Sequence, residues 1–434
     1  MKKNIVYIAM SADFIHPGHL KIIEAGSKLG EVTIGLLTDS AIASYKKMPH
    51  MEYKDRYKII SSLKNVKRVV RQETHDYVPN LKKFKPKFIL HGSDWKTGIQ
   101  KKIRERVIIT IKKWNGKLIE IPYSHEFDEK RINSIFKQIS TTPTRRIKSL
   151  RRLIENKKIL KFLDIHNALS ALIVEKTNLT INGKFEEFDG MWASSLTSST
   201  AKGKPDIEAV DSSERLQALN EVLEVTTKPI IYDGDTGGKS EHFTFMVKNL
   251  ERLGISAVII EDKKGLKKNS LFGKEVYQEQ DSIKSFSEKI IEGKKAQSTE
   301  DFMIIARIES FILNKGLEDA IKRAKKYIKA GADGIMIHSR KKNPQEIFDF
   351  CKIYNKLKYR KPLVVVPSSF GQIKIDTFVK YNVDIIIYAN HLMRSVYPSM
   401  VKTAKSILKN KRSLEIEKKI MPIKEILELI PGTK

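Results

Sequence analysis

The sequence predicts an α/β protein with two parts, an N-terminal doubly wound parallel sheet and a C-terminal (β/α)₈ barrel. Short apolar runs alternate with segments of helical periodicity along most of the chain. Eight of these strand–helix units fall in the second half, which is the number that a closed barrel of this kind requires. Many runs end in polar residues, as expected where parallel strands deliver side chains to a site at their carboxyl ends.

Length and composition indicate a globular protein of two or three domains. The chain has 434 residues, of which 41% are hydrophobic and 30% charged. Cys351 is the only cysteine, which excludes a disulfide within the chain and favours a reducing, cytoplasmic location. No run approaches ~20 apolar residues, so we expect neither a transmembrane helix nor a membrane partner.

The chain is strongly basic, with 81 Lys and Arg against 51 Asp and Glu and a formal charge of +30. Such a charge raises the possibility of a nucleic-acid partner. The lysines, however, are spread along nearly every helix, and no RNA- or DNA-binding module is present. Anionic small-molecule substrates explain the charge equally well, so we expect no nucleic-acid partner.

The first half reads as alternating strands and helices with a phosphate-binding signature after the first strand. His16-Pro17-Gly18-His19 follows that strand directly, and Pro17 suits the first position of a helix. A helix N-terminus favours phosphate, and two imidazoles there can donate hydrogen bonds to a phosphoryl group. Strands are predicted at residues 4–10, 31–37, 67–70, 87–90 and 117–121, and helices at 53–63 and 99–114.

The second half carries acidic residues at the ends of two neighbouring predicted strands. Asp233 and Asp235 follow one apolar run, and Glu261 follows the next. These carboxylates predict a Mg²⁺ site, with two solvated acidic turns as the alternative. The loop 263–270 follows the same strand and could close over a substrate. The eight strands are predicted at residues 160–165, 189–194, 229–233, 257–261, 302–307, 334–338, 363–366 and 384–388.

Residues 1–145 resemble the cytidylyltransferase branch of the nucleotidyltransferase superfamily, on His16-Pro17-Gly18-His19, Tyr53-x-x-Arg56, Asp94-Trp95 and Ile139-Ser140-Thr141-Thr142. The resemblance implies a Rossmann-like domain that binds CTP. It implies that these residues form the nucleotide site: His16, His19, Lys46, Arg56, Asp94, Trp95, Ser140, Thr141 and Thr142, with Lys47 as an alternative to Lys46.

Two departures from the cytidylyltransferase pattern leave a degenerate domain as an alternative. Met10-Ser11-Ala12 stands where the family often has Gly-Thr-Phe. The arginine and glycine that usually precede Ile-Ser-Thr-Thr are absent. Arg131, Arg145 and Arg146 are the candidates to replace that arginine.

Residues 158–425 resemble phosphoenolpyruvate mutase of the isocitrate lyase superfamily. The family's loop reads Glu-Asp-Lys-x-x-x-Lys-x-Asn-Ser, and this chain has the same residues from Glu261 to Ser270. The resemblance implies that Asp233 binds Mg²⁺, with Asp235 and Glu261 acting through waters. The other residues that it places in the site are Trp192, Ser194, Ser195 and Leu196 around the pyruvate moiety, Asp206, Lys267, Asn269 and Ser270 at the loop, and Arg307 and His338 at the phosphoryl group. Gly234 replaces the family's usual alanine, and Ser195 its usual glycine.

The predicted domains are a nucleotide-binding domain at 1–143, a basic helical linker at 144–158 and a mutase barrel at 159–434. The linker is interpreted as a helix packed on a domain or subunit, with a membrane-surface helix as the alternative. The two domains together resemble the bifunctional enzyme of fosfomycin biosynthesis, which implies CMP transfer from CTP to a phosphonate. We expect a homo-oligomer, a dimer or tetramer formed through the barrel.

Three alternatives to the mutase remain open. A phosphonopyruvate hydrolase on the same barrel is disfavoured by Asn269, because hydrolases that share the loop differ there. A carbon–carbon lyase is disfavoured because the chain lacks the Lys-Lys-Cys-Gly-His-like loop of those enzymes. A basic RNA-binding protein built on enzyme folds is the non-enzymatic alternative.

Overall fold

The N-terminal part forms a five-stranded, fully parallel sheet with the strand order β3-β2-β1-β4-β5. The structure is a computed structural model that describes residues 4–96, 100–122, 142–182 and 184–430. The strands are β1 (Ile5–Met10), β2 (Glu31–Leu37), β3 (Arg68–Gln72), β4 (Phe88–Gly92) and β5 (Lys117–Ile121). The strand order reverses beside β1, so the carboxyl ends of β1 and β4 flank the crevice where doubly wound sheets bind ligands.

Helices cover this sheet, and apolar clusters fill the space on its two faces. Tyr7 and Ile89 belong to one cluster, and Ile8 and Ile34 to the other. This alternation along β1 follows from the period of two in a strand. The helices are α1 (Pro17–Ser27), α2 (Asp39–Ala43), α3 (Tyr53–Ser61), α4 (Val78–Phe84) and α5 (Lys101–Ile111).

The basic linker is a helix, α6 (Pro143–Asn156), that packs against the barrel as a connector. Its Leu150 is fully buried in the same apolar cluster as side chains from the barrel interior. Arg151 donates to the carbonyl of Asp301, at 3.0 Å, just before a barrel strand begins. The helix therefore lies on the amino-terminal floor of the barrel, packed as a connector between the two parts of the chain.

Eight parallel strands close into a barrel, as the sequence predicts. An antiparallel hairpin of β7 (Asn178–Ile181) and β8 (Lys184–Glu187), which was not predicted, projects between the first two barrel strands. The barrel strands are β6 (Leu160–Ile165), β9 (Gly190–Ala193), β10 (Ile230–Asp233), β11 (Ala257–Glu261), β12 (Met303–Ile308), β13 (Gly334–Ile337), β14 (Leu363–Val365) and β15 (Ile385–Tyr388).

The barrel has an interior core and an outer core between strands and helices. Ile231, Met303 and Met336 fill the interior, whereas Phe243 and Ile260 pack in the outer layer. In the described residues no helix is long and apolar enough to cross a membrane. The helices are α7 (Ala168–Lys176), α8 (Ser195–Ala201), α9 (Ser212–Val225), α10 (Ser240–Leu253), α11 (Ile283–Ala296), α12 (Gly316–Lys329), α13 (Gln345–Tyr354), α14 (Ile375–Lys380), α15 (His391–Asn410), α16 (Leu414–Glu417) and α17 (Ile423–Leu429).

Candidate active site

A cleft of about 560 Å³, open mouth included, lies at the carboxyl ends of the barrel strands. This is the end of a (β/α)₈ barrel where active sites occur. Most of the barrel residues that the sequence predicts for the site line it. The lining residues are Trp192, Ser194, Leu196, Asp206, Asp233, Lys267, Asn269, Ser270, Leu271, Arg307, Met336, His338, Val366, Ser368, Ala389 and Asn390.

The predicted acidic cluster is buried, and a lysine lies within it. Asp233 ends β10, and Glu261 ends the neighbouring β11. Asp235, two residues after Asp233, has a backbone in the left-handed region at φ 52°. The Lys267 ammonium lies 2.7 Å from Asp235 Oδ1, 3.2 Å from Asp206 Oδ1 and 3.5 Å from Asp233 Oδ2. The positive charge of this ammonium group offsets the repulsion between the carboxylates.

Burial and the opposite charges act against each other on these groups. Burial would raise the pKa of Asp233, but the charges of Lys267 and Arg215 outweigh it and hold this pKa below its ordinary value. Burial would lower the pKa of Lys267, but Asp233 and Asp235 raise it above its ordinary value. Asp233 and Lys267 are therefore both charged at neutral pH.

The donor set fits a hard divalent cation. Asp206, Asp233, Asp235 and Glu261 offer only carboxylate oxygens, the ligands that Mg²⁺ prefers. Within the described residues Asp235 Oδ1 and both oxygens of Glu261 have ion-pair contacts to lysine and arginine but no hydrogen bond of good geometry. In the described residues no three or more His, Cys, Asp or Glu side chains are arranged to hold a metal ion. The Lys267 ammonium occupies the space between Asp206 and Asp235.

Arg307 and His338 stand side by side at the ends of β12 and β13. Arg307 Nη2 donates to His338 Nδ1 at 3.2 Å and to Ser270 Oγ at 2.7 Å. Because a guanidinium only donates, His338 is a neutral ring whose proton lies on Nε2. Burial and the nearby Arg307 charge lower the pKa of His338, in agreement with that state. The pair presents a fixed positive charge and a neutral N–H donor to the cleft.

Glu309 completes this group and was not predicted from the sequence. It is fully buried, accepts from Arg307 Nε, and accepts from Ser270 Oγ at 2.7 Å. Burial would raise the pKa of Glu309, but Arg307 and Lys263 hold it well below its ordinary value. A signal existed in the sequence, since residues two apart on a strand face the same side and Glu309 follows Arg307 by two.

The loop between Lys263 and Gln280 is folded over the cleft. Its two ends pair with each other in an isolated bridge. Asn269 Nδ2 donates to Asp206 Oδ2 at 3.0 Å, while the hydroxyl of Ser270 reaches Glu309 and Arg307. The loop thus contacts both the acidic and the basic side of the cleft, as a closed lid does.

The two substitutions relative to the mutase pattern have local explanations. The Ser195 hydroxyl donates to Asp233 Oδ2 at 2.8 Å and contacts the Lys267 ammonium, so it bridges these two groups. An alanine Cβ at position 234 would lie 2.7 Å from Val258 Cγ2. Glycine is therefore the residue that fits between β10 and this side chain.

Three further charged residues at the site were missed. Arg215 on α9 donates to Asp235 Oδ2 at 3.0 Å, and its guanidinium lies 4.2 Å from the centre of the Tyr232 ring. Glu208 accepts from the backbone N–H of Lys267 at 2.9 Å. Lys263 pairs with Glu261 at 3.0 Å. Arg215 and Glu208 carry no strand-end signal, because one lies on a helix and the other in a loop.

The N-terminal sheet brings three of the predicted nucleotide residues together. His16 caps α1 by accepting from the Gly18 N–H at 3.2 Å, and its ring centre lies 3.9 Å from that of His19. Burial, then the charges of His16 and Lys46, lower the pKa of His19 to about 3. Lys46 donates to Ser11 Oγ at 3.1 Å, whereas Lys47 pairs with Glu187 of β8 at 3.3 Å. Lys46 is therefore the lysine on the side of the histidines.

Other predicted nucleotide residues are placed differently. Arg56 and Trp95 are fully buried, and Trp95 Nε1 donates to Glu120 Oε1 at 2.8 Å. Arg146 is also buried and donates to the Thr226 carbonyl at 2.9 Å, so it is committed to the barrel. Thr142, which precedes α6, and Arg145 in its first turn are exposed. Ser140, Thr141, Arg131 and the side chain of Asp94 lie outside the described residues.

Comparison with known families agrees with the two-part architecture. The family model for phosphoenolpyruvate phosphomutase matches residues 150–408. The chain belongs to the phosphoenolpyruvate phosphomutase family. A second model, for cytidylyltransferase-like proteins, matches residues 11–162. The N-terminal part is thus a cytidylyltransferase-like domain, and the two matches overlap in α6 and the start of β6.

The similar proteins include a mutase and a hydrolase. Phosphoenolpyruvate phosphomutase of Tetrahymena pyriformis is 37% identical over 287 residues, which are 66% of this chain and 91% of that protein. A crystal structure of phosphoenolpyruvate phosphomutase from Streptomyces platensis subsp. rosaceus has a TM-score of 0.60 and 33% identity, covering 65% of this chain and 93% of the other. A phosphonopyruvate hydrolase in complex with oxalate and Mg²⁺ has a TM-score of 0.58 and 29% identity, covering 65% and 94%.

Proposed function

We propose that the barrel, residues 159–434, interconverts phosphoenolpyruvate and phosphonopyruvate in phosphonate biosynthesis. In this isomerisation the bond between phosphorus and the enol oxygen breaks, a bond between phosphorus and the methylene carbon forms, and the enol oxygen becomes a ketone. No proton is exchanged. The observation that carries the proposal is a closed loop whose Asn269 and Ser270 join an acidic group to the Arg307–His338 pair.

The residues divide the work between the two ends of the substrate. Arg307 and the Nε2 proton of His338 suit the oxygens of the phosphoryl group, where charge develops during transfer. The Ser270 hydroxyl donates to Glu309 and accepts from Arg307, so it helps to hold Arg307 in place. The strand end at Trp192–Leu196 and the ammonium of Lys267 suit the pyruvate carboxylate. The lid excludes water, which would otherwise take the phosphoryl group.

Mg²⁺ is the proposed cofactor, with Asp233 as the main ligand and Asp235 and Glu261 in support. When bound, the ion supplies positive charge for the carboxylate and enol oxygens of the substrate. With all six carboxylates ionised, six carboxylates and four cations meet here, an excess of two negative charges that one divalent ion would neutralise. They are Asp206, Glu208, Asp233, Asp235, Glu261 and Glu309 against Arg215, Lys263, Lys267 and Arg307. Burial raises the pKa of Glu208 and of Glu261, and a bound cation would favour their charged forms.

Phosphorus NMR of phosphonopyruvate incubated with the full chain and Mg²⁺ tests the mutase against its alternatives. Phosphoenolpyruvate as the product supports the mutase. Free phosphate would instead favour phosphonopyruvate hydrolase, the enzyme in one of the similar structures. An unchanged spectrum would favour a lyase or a binding role.

For the N-terminal domain, residues 1–143, we propose transfer of CMP from CTP to a phosphonate made downstream of the mutase reaction. The paired rings of His16 and His19 at the start of α1, with Lys46 beside them, support a site for nucleotide phosphates. The neutral state of His19 suits a hydrogen-bond donor to phosphate. Calorimetry of the full chain with CTP and with ATP, each with Mg²⁺, tests the assignment. We expect binding of CTP in preference to ATP, and no heat at millimolar CTP would contradict it.

The proposed assembly is a homo-oligomer formed through the barrel. Helix α15 supports it, because none of its residues is buried and its Tyr397, Met400 and Leu408 are 67–78% exposed. An apolar helical face of this kind is typical of a surface that another subunit covers. Sedimentation of the full chain tests this, and a monomer at micromolar concentration would contradict it.

A further inference from the structure

The segment that carries Lys46 lies at the junction of the two modules. We call residues 44–52, which join α2 to α3, the lysine loop. Arg152 of α6 donates to the carbonyls of Pro49 at 3.1 Å and His50 at 3.3 Å within this loop. On the same loop Lys47 pairs with Glu187 of the barrel hairpin, 3.3 Å away, and Glu52 with Lys148 of α6. Barrel-side residues therefore contact the lysine loop at several points.

The same arginine also reaches the loop through Asp39. The Asp39 carboxylate lies between two guanidinium groups, with Oδ2 3.2 Å from Arg152 Nη2 and Oδ1 2.5 Å from Arg56 Nη2. Arg56 in turn donates to the carbonyls of Met51, Leu37 and Ser11. Since Ser11 Oγ accepts from Lys46, an unbroken series of contacts joins α6 to Lys46.

Helix α6 is itself held by the barrel, so Arg152 projects from a fixed position. Leu150, two residues earlier, is fully buried in the interior cluster of the barrel. Arg151 contacts the start of β12 and pairs with Asp333 at 2.9 Å. One face of the helix thus binds the barrel floor while Arg152 points to the nucleotide-binding domain.

We propose that Arg152 is a positioning residue for the nucleotide site, so that the barrel floor holds the lysine loop in the conformation that turns Lys46 toward His16 and His19. The inference rests on the proposed nucleotidyltransferase function. Under this proposal one module depends on the other, but the reverse does not hold. The nucleotide site needs the barrel, whereas the barrel cleft, at the opposite end of the strands, does not need the nucleotide site.

The requirement is for arginine rather than for positive charge alone. A guanidinium presents its donors in a fixed fork, and here it serves two carbonyls and one carboxylate at once. A lysine at this position would keep the charge but reach fewer of these acceptors. Lys158, just beyond the end of α6, is exposed and provides a charge-matched control.

The test compares full-length wild type with Arg152→Ala, Arg152→Lys and Lys158→Ala. Calorimetry with CTP and Mg²⁺ measures the nucleotide site, and phosphonopyruvate conversion measures the barrel. For Arg152→Ala we expect CTP affinity to fall at least about tenfold, the effect of losing one charge-assisted hydrogen bond. Arg152→Lys should fall between wild type and Arg152→Ala. Lys158→Ala should bind CTP as wild type does, and all variants should convert phosphonopyruvate normally.

Hydrogen exchange gives a second readout that is independent of CTP. Amides of residues 44–52 should exchange faster in Arg152→Ala than in wild type, because the loop loses its contacts to α6. Unchanged exchange together with unchanged CTP affinity would overturn the inference. A parallel loss of phosphonopyruvate conversion would also overturn it, since Arg152 would then support the whole chain. If wild type bound no CTP, the proposed nucleotide function would fail, and the inference would fail with it.

Discussion

Replacing Glu309 by glutamine tests how the basic side of the cleft is held in place. Glutamine keeps the shape of the side chain, but it lacks the negative charge and has one acceptor oxygen in place of the two that accept from Arg307 Nε and Ser270 Oγ. Losing one buried charge-assisted bond costs about 1.5–3 kcal/mol. Arg307 keeps Glu261 as a counter-charge, 3.3 Å from its Nη2, so the guanidinium is not left without a partner. The protein should therefore still fold.

We expect this loss of free energy to appear in kcat. A displaced Arg307 would weaken its contact with the phosphoryl group more during transfer than in the bound substrate. At about 1.36 kcal/mol for each factor of ten, kcat should fall by about one to two orders of magnitude. Formation of phosphoenolpyruvate from phosphonopyruvate, coupled to pyruvate kinase and lactate dehydrogenase, measures the rate. The pKa of Glu309 is held well below its ordinary value, so the carboxylate is charged throughout the neutral range. The loss should therefore be the same at pH 6 and pH 8.

Glu279→Gln is the matched control, since Glu279 makes an exposed ion pair with Lys264 on the loop that covers the cleft. An exposed pair contributes little, and we expect the rate to stay within about twofold of wild type. A wild-type rate in Glu309→Gln would refute the role given to this carboxylate. If Glu309→Gln unfolded by circular dichroism, Ser270→Ala, which removes the other donor to Glu309, would decide the question.

Three further predictions concern the loop and the nucleotide-binding domain. Asn269→Ala should lower turnover of phosphonopyruvate while circular dichroism stays unchanged, because the loop adds little to the core; an unfolded variant would show that the loop is structural. His16→Ala should abolish CTP-dependent pyrophosphate release but leave phosphonopyruvate conversion intact, and a parallel loss of both would contradict separate sites. His19 has its pKa lowered to about 3 by burial and by His16 and Lys46, so the unfolded chain binds its proton first as pH falls below about 6.5. Stability should therefore drop from pH 6.5 toward 4, and His19→Gln should show a smaller fall in Tm over this range.

The strand pattern and the cleft residues could be predicted because they depend on local sequence. A parallel strand buried on both faces is an apolar run, and its last residues must reach the carboxyl edge of the sheet. Asp233 and Glu261 satisfied this rule, and the barrel strands lie within about two residues of their predicted positions. Glu309 follows the same rule, but at this strand end only Arg307, two residues earlier, was assigned to the site.

The rest depended on contacts between residues distant in sequence. Arg215 reaches Asp235 from a helix twenty positions earlier, and no local pattern marks it. Arg56 fits a nucleotide-binding motif, yet its burial and its bond to Asp39 depend on how α3 packs on the sheet. The basic residues of α6 favoured a packed connector over a membrane-surface helix, but no local pattern showed which acceptors on the two domains they contact. The hairpin of β7 and β8 was missed although the sequence carries a local signal for it. Asn178–Ile181 alternates polar and apolar residues, and Asn182-Gly183 after it is typical of a two-residue hairpin turn.

The central claim is that the closed cleft moves phosphorus from one atom of the substrate to another without admitting water. Phosphorus NMR during the first turnovers of phosphonopyruvate, with the full chain and Mg²⁺, measures how the phosphorus divides between phosphoenolpyruvate and free phosphate. Asp233→Ala, which removes the main carboxylate for the metal, serves as the blank and should leave the substrate unchanged. We predict that wild type places all the converted phosphorus in phosphoenolpyruvate. Free phosphate as the main product of wild type, or normal conversion by Asp233→Ala, would contradict the account.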